Sequence, residues 1–303
     1  MDDSRDTQNL KHLITDMKAR NFIAIVPKFD KITNFENGKL KILTLESLTI
    51  SKLPQDIAKF NNLVELNLHN NYLISLPTSI EELHALKLLD LSNNKIEFLP
   101  QNIGSMTSLS QLYLNSNKLT RFPDNFINLR TLKFLDVSVN KLKILPEHFG
   151  RLRQLVELKI NDNKLKYLPL SSMDLIHLAI LETNDNKLQK LPYNIGNLLN
   201  LKMLELENNQ LTSLPDSISK LTSLEYLNLQ GNQLTSLPLS MGNIISVVQL
   251  RLDNNDLKSL PKSLINLDKI NLLALQGNDN LQIDSTHEQW FDEIKKRSGR
   301  VIL

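Results

Sequence analysis

A 23-residue period runs through most of this chain, and it decides what the chain can fold into. In LKMLELENNQLTSLPDSISKLTS, residues 201–223, apolar side chains fall at Leu201, Leu204, Leu206, Leu211, Leu214, Ile218 and Leu221, with Asn209 and Pro215 fixed between them. The same template returns in unbroken register from eleven starts, at positions 40, 63, 86, 109, 132, 155, 178, 201, 224, 247 and 270. A unit this short cannot bury its apolar face alone, so neighbouring units stack and share one continuous core. The period overrides the expectation from length, which for 303 residues would be about two globular domains.

Three divisions follow. Residues 1–39 lie outside the register and are expected to cap the first unit. Asp6 or Thr7 opens a helix over Leu10, Leu13, Ile14 and Met17, Pro27 ends it, and Phe22, Ile25, Phe29, Ile32 and Phe35 supply apolar cover. Residues 40–283 hold the eleven repeats. Residues 284–303 are expected to form a C-terminal cap, with Ser285 and Glu288 at capping-box spacing, Trp290, Phe291 and Ile294 on the buried side, an end near Ser298-Gly299, and a last apolar strap in Val301-Ile302-Leu303.

Inside the array three polar or special columns recur. Asn71, Asn94, Asn117, Asn140, Asn163, Asn186, Asn209, Asn232, Asn255 and Asn278 each follow the strand-like segment, where the turning backbone leaves groups without sheet partners. An amide both donates and accepts, so a structural role is expected for all ten. Ten of the eleven prolines, from Pro54 to Pro261, form a second column, suited to an extended entry or the first turn of a short helix. Gly104, Gly150, Gly196 and Gly242 stand 46 residues apart, consistent with copying of repeat pairs or with coincidence at a permissive loop site. Ser172 and Thr183 interrupt the apolar columns, which makes 169–184 the expected place for an irregularity.

If each L-x-x-L-x-L segment is a strand, alternation turns the residues between the leucines outward onto one sheet face. Three outward columns result, carrying nine acids and two bases, a balance of −7 in a chain of net charge +2. Apolar and aromatic residues lie among these acids. Aromatic and Met anchors ringed by charge are typical of protein-binding surfaces. The expected binding face comprises Asp90, Tyr113, Phe134, Asp136, Glu157, Lys159, Ile180, Glu182, Met203, Glu205, Glu207, Tyr226 and Arg251, and it favours a basic partner patch. A second stripe, Lys95, Lys118, Lys141, Lys164 and Lys187, follows the Asn column and could meet phosphates of nucleic acid or anionic lipid. No aromatic residues interleave these lysines, which counts against single-strand nucleic acid.

Catalysis finds little support in the residues. The six histidines share no motif or metal-ligand spacing, and no phosphate-binding glycine loop occurs. Cysteine is absent, which excludes disulfides, thiolate metal sites and a cysteine nucleophile. No metal or other cofactor is expected. The opening MDDSRDTQNLKHL lacks the basic and apolar regions of a secretory leader, no apolar run reaches membrane-spanning length, and no N-x-S/T acceptor is present. A cytoplasmic or otherwise reducing location and a monomeric state are the expectation.

The segments Leu63-Val64-Glu65-Leu66-Asn67-Leu68-His69-Asn70-Asn71 and Leu99-Pro100-Gln101-Asn102-Ile103 carry a resemblance. Residues 40–283 resemble 23-residue leucine-rich repeats with an LPxxIxxL second half. Their variant is similar to that of the intracellular Ras-group, Ras suppressor and Scribble-type proteins, and to repeats of bacterial proteins that include effectors acting inside host cells. The resemblance implies an α/β solenoid: a right-handed, curved array with a parallel β-sheet on the concave face and short helical or extended segments on the convex face. It implies a non-enzymatic scaffold that binds a protein partner, such as a small GTPase or phosphatase in signalling. Two alternatives stand beside it: a bacterial effector or adaptor that binds host proteins, and a binder of anionic membrane or nucleic acid through the lysine stripe.

Overall fold

The computed structural model describes residues 4–24 and 28–303. Ile25 and Pro27, assigned above to the N-terminal cap, lie outside them, as does the side chain of Phe29. The chain divides into two compact units, the first ending at Leu142 and the second running Lys143–Leu303.

In the first unit, helix α1 (Arg5–Ala19) buries Thr7, Leu10, Leu13, Ile14 and Met17. Its cap is Ser4, whose extended backbone lets its Oγ accept the Thr7 N–H at 3.3 Å. Asp6, one of the two expected caps, does different work: its Oδ2 accepts the Leu40 N–H at 2.8 Å and ties the helix to the first repeat. After a single turn, α2 (Phe29–Ile32), strands β1 (Thr33–Glu36) and β2 (Lys39–Thr44) form an antiparallel hairpin. Asn37 and Gly38 both take positive φ at its tip, as a two-residue turn between twisted strands requires. Strands β3 (Glu65–Asn67), β4 (Leu88–Asp90), β5 (Gln111–Tyr113) and β6 (Phe134–Asp136) then add in parallel, in the register Ile42, Glu65, Leu88, Gln111, Phe134.

The second unit continues the pattern with β7 (Glu157–Lys159), β8 (Ile180–Glu182), β9 (Met203–Glu205), β10 (Tyr226–Asn228), β11 (Gln249–Arg251) and β12 (Leu272–Ala274), again parallel and in 23-residue register. Helix α3 (Ser285–Lys296) buries His287, Trp290, Phe291 and Ile294 against the last repeat. Asp284 caps it, accepting the N–H groups of Thr286 and His287, so the cap lies one residue before the expected Ser285. The expected terminal strap is a further strand, β13 (Arg300–Ile302), paired in parallel with β12.

The leucine columns are buried almost without exception, and between them the Asn side chains satisfy the turning backbone. Asn94 is representative: its Oδ1 accepts the Leu73 N–H at 2.9 Å, and its Nδ2 donates to Leu68 and Leu91 carbonyls in two successive coils. Each coil returns through a 3-10 helix. From the second repeat on, five-residue helices that follow a proline directly, such as Asp124–Asn128 and Asp216–Lys220, alternate with three-residue helices that start three residues after it, such as Ile103–Ser105 and Ile195–Asn197. The four spaced glycines sit in the short ones. A Cβ on Gly104, Gly150, Gly196 or Gly242 would stand 1.8–2.2 Å from a carbonyl oxygen of the next coil's longer helix. Close backbone approach, repeated every second coil, accounts for their spacing.

No irregularity occurs at 169–184. Thr183 is buried with its Oγ1 donating to the Glu205 carbonyl at 3.1 Å, and the strands keep register through β8. The hydroxyl of buried Ser172 has no hydrogen-bond partner, yet the 3-10 helix Leu170–Asp174 forms around it. A small polar side chain leaves the coil geometry intact because the neighbouring columns supply the packing.

Candidate binding face

Each repeat contributes three outward side chains to its sheet, at the first and third residues of the strand and two residues beyond. In the first unit the row Leu88, Gln111, Phe134 runs beside Asp90, Tyr113, Asp136. The Tyr113 and Phe134 rings lie 4.6 Å apart, tilted by 37°, and the Tyr113 hydroxyl donates to Gln111 Oε1 at 3.2 Å. The two acids are used locally. Asp90 Oδ1 accepts the Ser92 N–H at 2.9 Å and the Ser92 hydroxyl at 2.5 Å, and Asp136 Oδ1 accepts the Ser138 N–H at 2.9 Å. Both carboxylates therefore close the turn after their strands.

His69 Nδ1 lies 2.7 Å from the Ser92 hydroxyl, which brings a histidine, a serine and an aspartate together. The order of bonds is wrong for a nucleophile. Because Ser92 donates to Asp90, His69 Nδ1 carries the proton in its own bond to Ser92 and has no lone pair with which to activate it.

In the second unit Lys159 Nζ stands 3.1 Å from both Glu157 and Glu182. Partial burial works to lower the Lys159 pKa, but hydrogen bonds to Glu157 and Glu182 and their charges outweigh it and hold the pKa above the usual lysine value. At the other end Arg251 Nε lies 3.5 Å from Asp253. Between these pairs stand Ile180, Met203 and Tyr226, adjacent in register and half-buried, beside Glu182 and Glu205, with Glu207 just past the strand. Asparagine amides orient the carboxylates: Asn161 to Glu182 at 2.8 Å, Asn184 to Glu205 at 2.9 Å, and Asn228 to Glu207 at 2.9 Å. Burial raises the Tyr226 pKa first and the Glu205 charge second, while the hydrogen bond with Arg251 opposes them.

The outward columns are not uniformly accessible. Ser92, Asn228, Asp253 and Ala274 occupy outward positions but are buried, because larger neighbours in the adjacent coils cover their short side chains. Lys95, Lys118 and Lys141 in the first unit and Lys164 and Lys187 in the second are exposed on the loop after the sheet. Lys95 Nζ sits 4.4 Å above the Tyr72 ring. A feature that strand alternation does not reveal lies beyond the prolines: Leu170 is 51% exposed, Tyr193 72% and Leu239 84%. They share one position in the repeat, directly after Pro169, Pro192 and Pro238, which was the signal available in the sequence.

Among the described residues no group of three or more His, Asp or Glu side chains is placed to hold a metal ion, and no helix is long and apolar enough to cross a membrane.

Two family descriptions match the chain. One for the leucine rich repeat matches in overlapping windows from residue 38 to 165, and one for a leucine-rich repeat region matches 171–279. Among curated proteins none matches. Among solved structures, the leucine-rich-repeat ectodomain of the Arabidopsis thaliana receptor kinase GASSHO1/SCHENGEN3, crystallised with CASPARIAN STRIP INTEGRITY FACTOR 2, is 28% identical with a TM-score of 0.73, over 80% of this chain and 31% of that one. The plant peptide hormone receptor RGFR1 in complex with RGF2 is 27% identical with a TM-score of 0.64, over 77% of this chain and 44% of that one. The chain thus spans less than half the length of these two receptors. A leucine-rich-repeat protein of Leptospira interrogans is 28% identical with a TM-score of 0.50, over 87% of this chain and 84% of that one. Repeat period, strand register and both family matches agree, and the chain belongs to the leucine-rich-repeat proteins.

Proposed function

We propose that the protein is a non-enzymatic interaction scaffold whose partner is another protein, docked on the outward face of the β-sheet. The observation that carries this reading is the set of half-buried apolar and aromatic side chains that the sheet presents among acids: Tyr113 against Phe134 in the first unit, and Ile180, Met203 and Tyr226 in adjacent strands of the second. These groups are left out of the leucine core, and rigid aromatic and Met anchors are what protein interfaces use. The two plant receptors, each in complex with a second molecule, support binding as the use of such repeats. Two settings follow for the partner. The resemblance to Ras-group and Scribble-type repeats favours a signalling protein such as a small GTPase or phosphatase, and the occurrence of similar repeats in a protein of the bacterium Leptospira interrogans keeps a bacterial setting, with a host protein as partner, as the second reading.

The test is capture of partners by the wild-type chain and by two variants, Phe134→Asp in the first unit and Met203→Asp in the second. Both sites are outward and half-buried, so the variants are expected to fold and to lose partners that the wild type retains. Equal capture by all three would contradict the reading.

A further inference from the structure

We infer that the second unit docks on an anionic lipid bilayer through a surface of its sixth and seventh repeats that lies outside the sheet. Lysine ammonium groups meet the lipid headgroups there, and Tyr167, Leu170 and Tyr193 enter the interface. This goes beyond the protein partner proposed above and uses no residue of the sheet face.

Two stretches carry the surface, residues 164–170, KLKYLPL, and residues 187–193, KLQKLPY. Their leucines at 165, 168, 188 and 191 are buried in the core, which turns the residues between them outward. Lys164, Lys166, Lys187 and Lys190 are all exposed, and neither stretch contains an acid. Among the described residues none of the four is in an ion pair, in contrast to Lys159 on the sheet, which lies 3.1 Å from each of two carboxylates. The stretches run side by side. The N–H groups of Lys187 and Gln189 donate to the Leu165 and Lys166 carbonyls at 2.9 and 3.3 Å, and Asn194 Nδ2 donates to the Leu170 carbonyl at 3.4 Å. That register sets the four lysines along three large apolar groups, Tyr167, Leu170 and Tyr193, which are 49%, 51% and 72% exposed. In the next coil the same positions read QLTSLPD, with no cation, no outward apolar group and an acid, Asp216. Leu239, two coils on, sits in QLTSLPL without a lysine. Unpaired cations and exposed apolar groups therefore coincide in these two coils.

Charge alone would fit any polyanion, and the apolar groups select among them. An aliphatic side chain such as Leu170 gains nothing from a phosphate backbone, whereas the boundary between headgroups and acyl chains takes leucine and tyrosine together. The kind of cation argues against a second protein surface. Protein interfaces are enriched in Arg and depleted in Lys, and all four cations here are lysines. A lysine stem lies along apolar surface while its ammonium stays in water beside anionic headgroups, which draw it electrostatically.

Co-sedimentation of the full chain with phosphatidylcholine vesicles, and with vesicles in which about a third of the lipid is phosphatidylserine, tests this. Three variants accompany the wild type: Lys164→Gln/Lys166→Gln/Lys187→Gln, Leu170→Ser/Tyr193→Ser, and Lys262→Gln/Lys269→Gln/Lys296→Gln. The last removes the same charge from the tenth repeat and the C-terminal helix. All of these sites are exposed, so unfolding midpoints are expected to match the wild type. The wild type is expected to bind the anionic vesicles and not the neutral ones. The first variant should bind on the order of 100-fold more weakly, about fivefold per lysine. The second should lose roughly tenfold through its apolar contacts, and the third less than about threefold, its charges being screened from the contact. Absence of binding to anionic vesicles overturns the inference, as does an equal loss in the two lysine variants, the mark of a net-charge effect. Full binding by Leu170→Ser/Tyr193→Ser overturns it as well, since the apolar groups would then stay outside the bilayer. Tighter binding to a duplex oligonucleotide than to the anionic vesicles overturns it in favour of nucleic acid. None of these results bears on protein capture by the sheet face.

Discussion

The side-chain Oδ1 of Asn209 accepts the backbone N–H of Leu188, one coil back, at 2.9 Å. Its Nδ2 donates to the carbonyls of Thr183 at 3.0 Å and Leu206 at 3.1 Å, so a single amide satisfies backbone groups in two coils. Replacing Asn209 with Ala is expected to lower stability by about 3 kcal/mol, since each orphaned buried group costs on the order of 1–3 kcal/mol. Urea unfolding measures the loss. Asn209→Asp should not rescue, because a carboxylate cannot donate to the two carbonyls.

The spaced glycines give a second prediction. A Cβ on Gly196 would meet the Ser217 carbonyl oxygen at 2.2 Å and the Lys220 Cβ at 3.0 Å. Gly196→Ala is expected to cost about 1–3 kcal/mol, the range for forced overpacking. Ser219, at the same position in the next repeat, is half-buried and already carries a Cβ, so Ser219→Ala loses only the bond its Oγ donates to the Asp216 carbonyl at 2.7 Å and should cost no more than about 1 kcal/mol. Thermal unfolding of the two variants side by side decides the matter.

Val139 adopts φ +56° and is 49% exposed. The same position holds Asn70, Asn93, Ser116, Asp162, Asp185, Asn208, Gly231, Asn254 and Gly277, all with positive φ and all able to tolerate it better than a β-branched residue. Val139→Asn is expected to raise stability by about 1 kcal/mol, the left-handed penalty for an L-residue being roughly 1–2 kcal/mol. An unchanged or lowered melting temperature would contradict this.

At the C-terminal cap, the N–H of His287 above all, then the His287 side chain and the Thr286 N–H, hold the Asp284 carboxyl below the usual aspartate range. A folded-state pKa below the unfolded one means that the cap stabilises above the ordinary aspartate value, about pH 4, and fades as pH falls through the lower folded value. Asp284→Ala should therefore melt below wild type at pH 7, with the gap closing toward pH 3. A gap independent of pH would contradict the assignment.

The fold was largely legible because its determinants are periodic. Leu201, Leu204, Leu206, Asn209 and Pro215 recur at fixed spacing, and the same physical demand places each of them in every coil. Non-repeating parts were harder to read. The hairpin of β1 and β2 carried its signal in Asn37-Gly38, but reading residues 1–39 as helix and apolar cover passed over it. Ser4 rather than Asp6 caps α1 because Asp6 has a partner 34 residues away, a tertiary choice no local pattern contains. The face was legible as a set of positions and not as chemistry. Alternation marked Asp90 and Asp136 as outward acids, yet both carboxylates close their own turns, whereas the longer side chains of Glu205 and Glu207 accept from the Asn184 and Asn228 amides of neighbouring coils. The exposed row at Leu170, Tyr193 and Leu239 lies outside the strands, where period-two reasoning does not reach.

That row supplies the comparison for the central claim, that the partner meets the sheet face. A photo-crosslinking residue placed at Met203, on the face, or at Tyr193, beyond the proline, reports which surface touches the partner. The account predicts a crosslinked partner from position 203 and none from position 193. Crosslinking from position 193 with none from position 203 would contradict it.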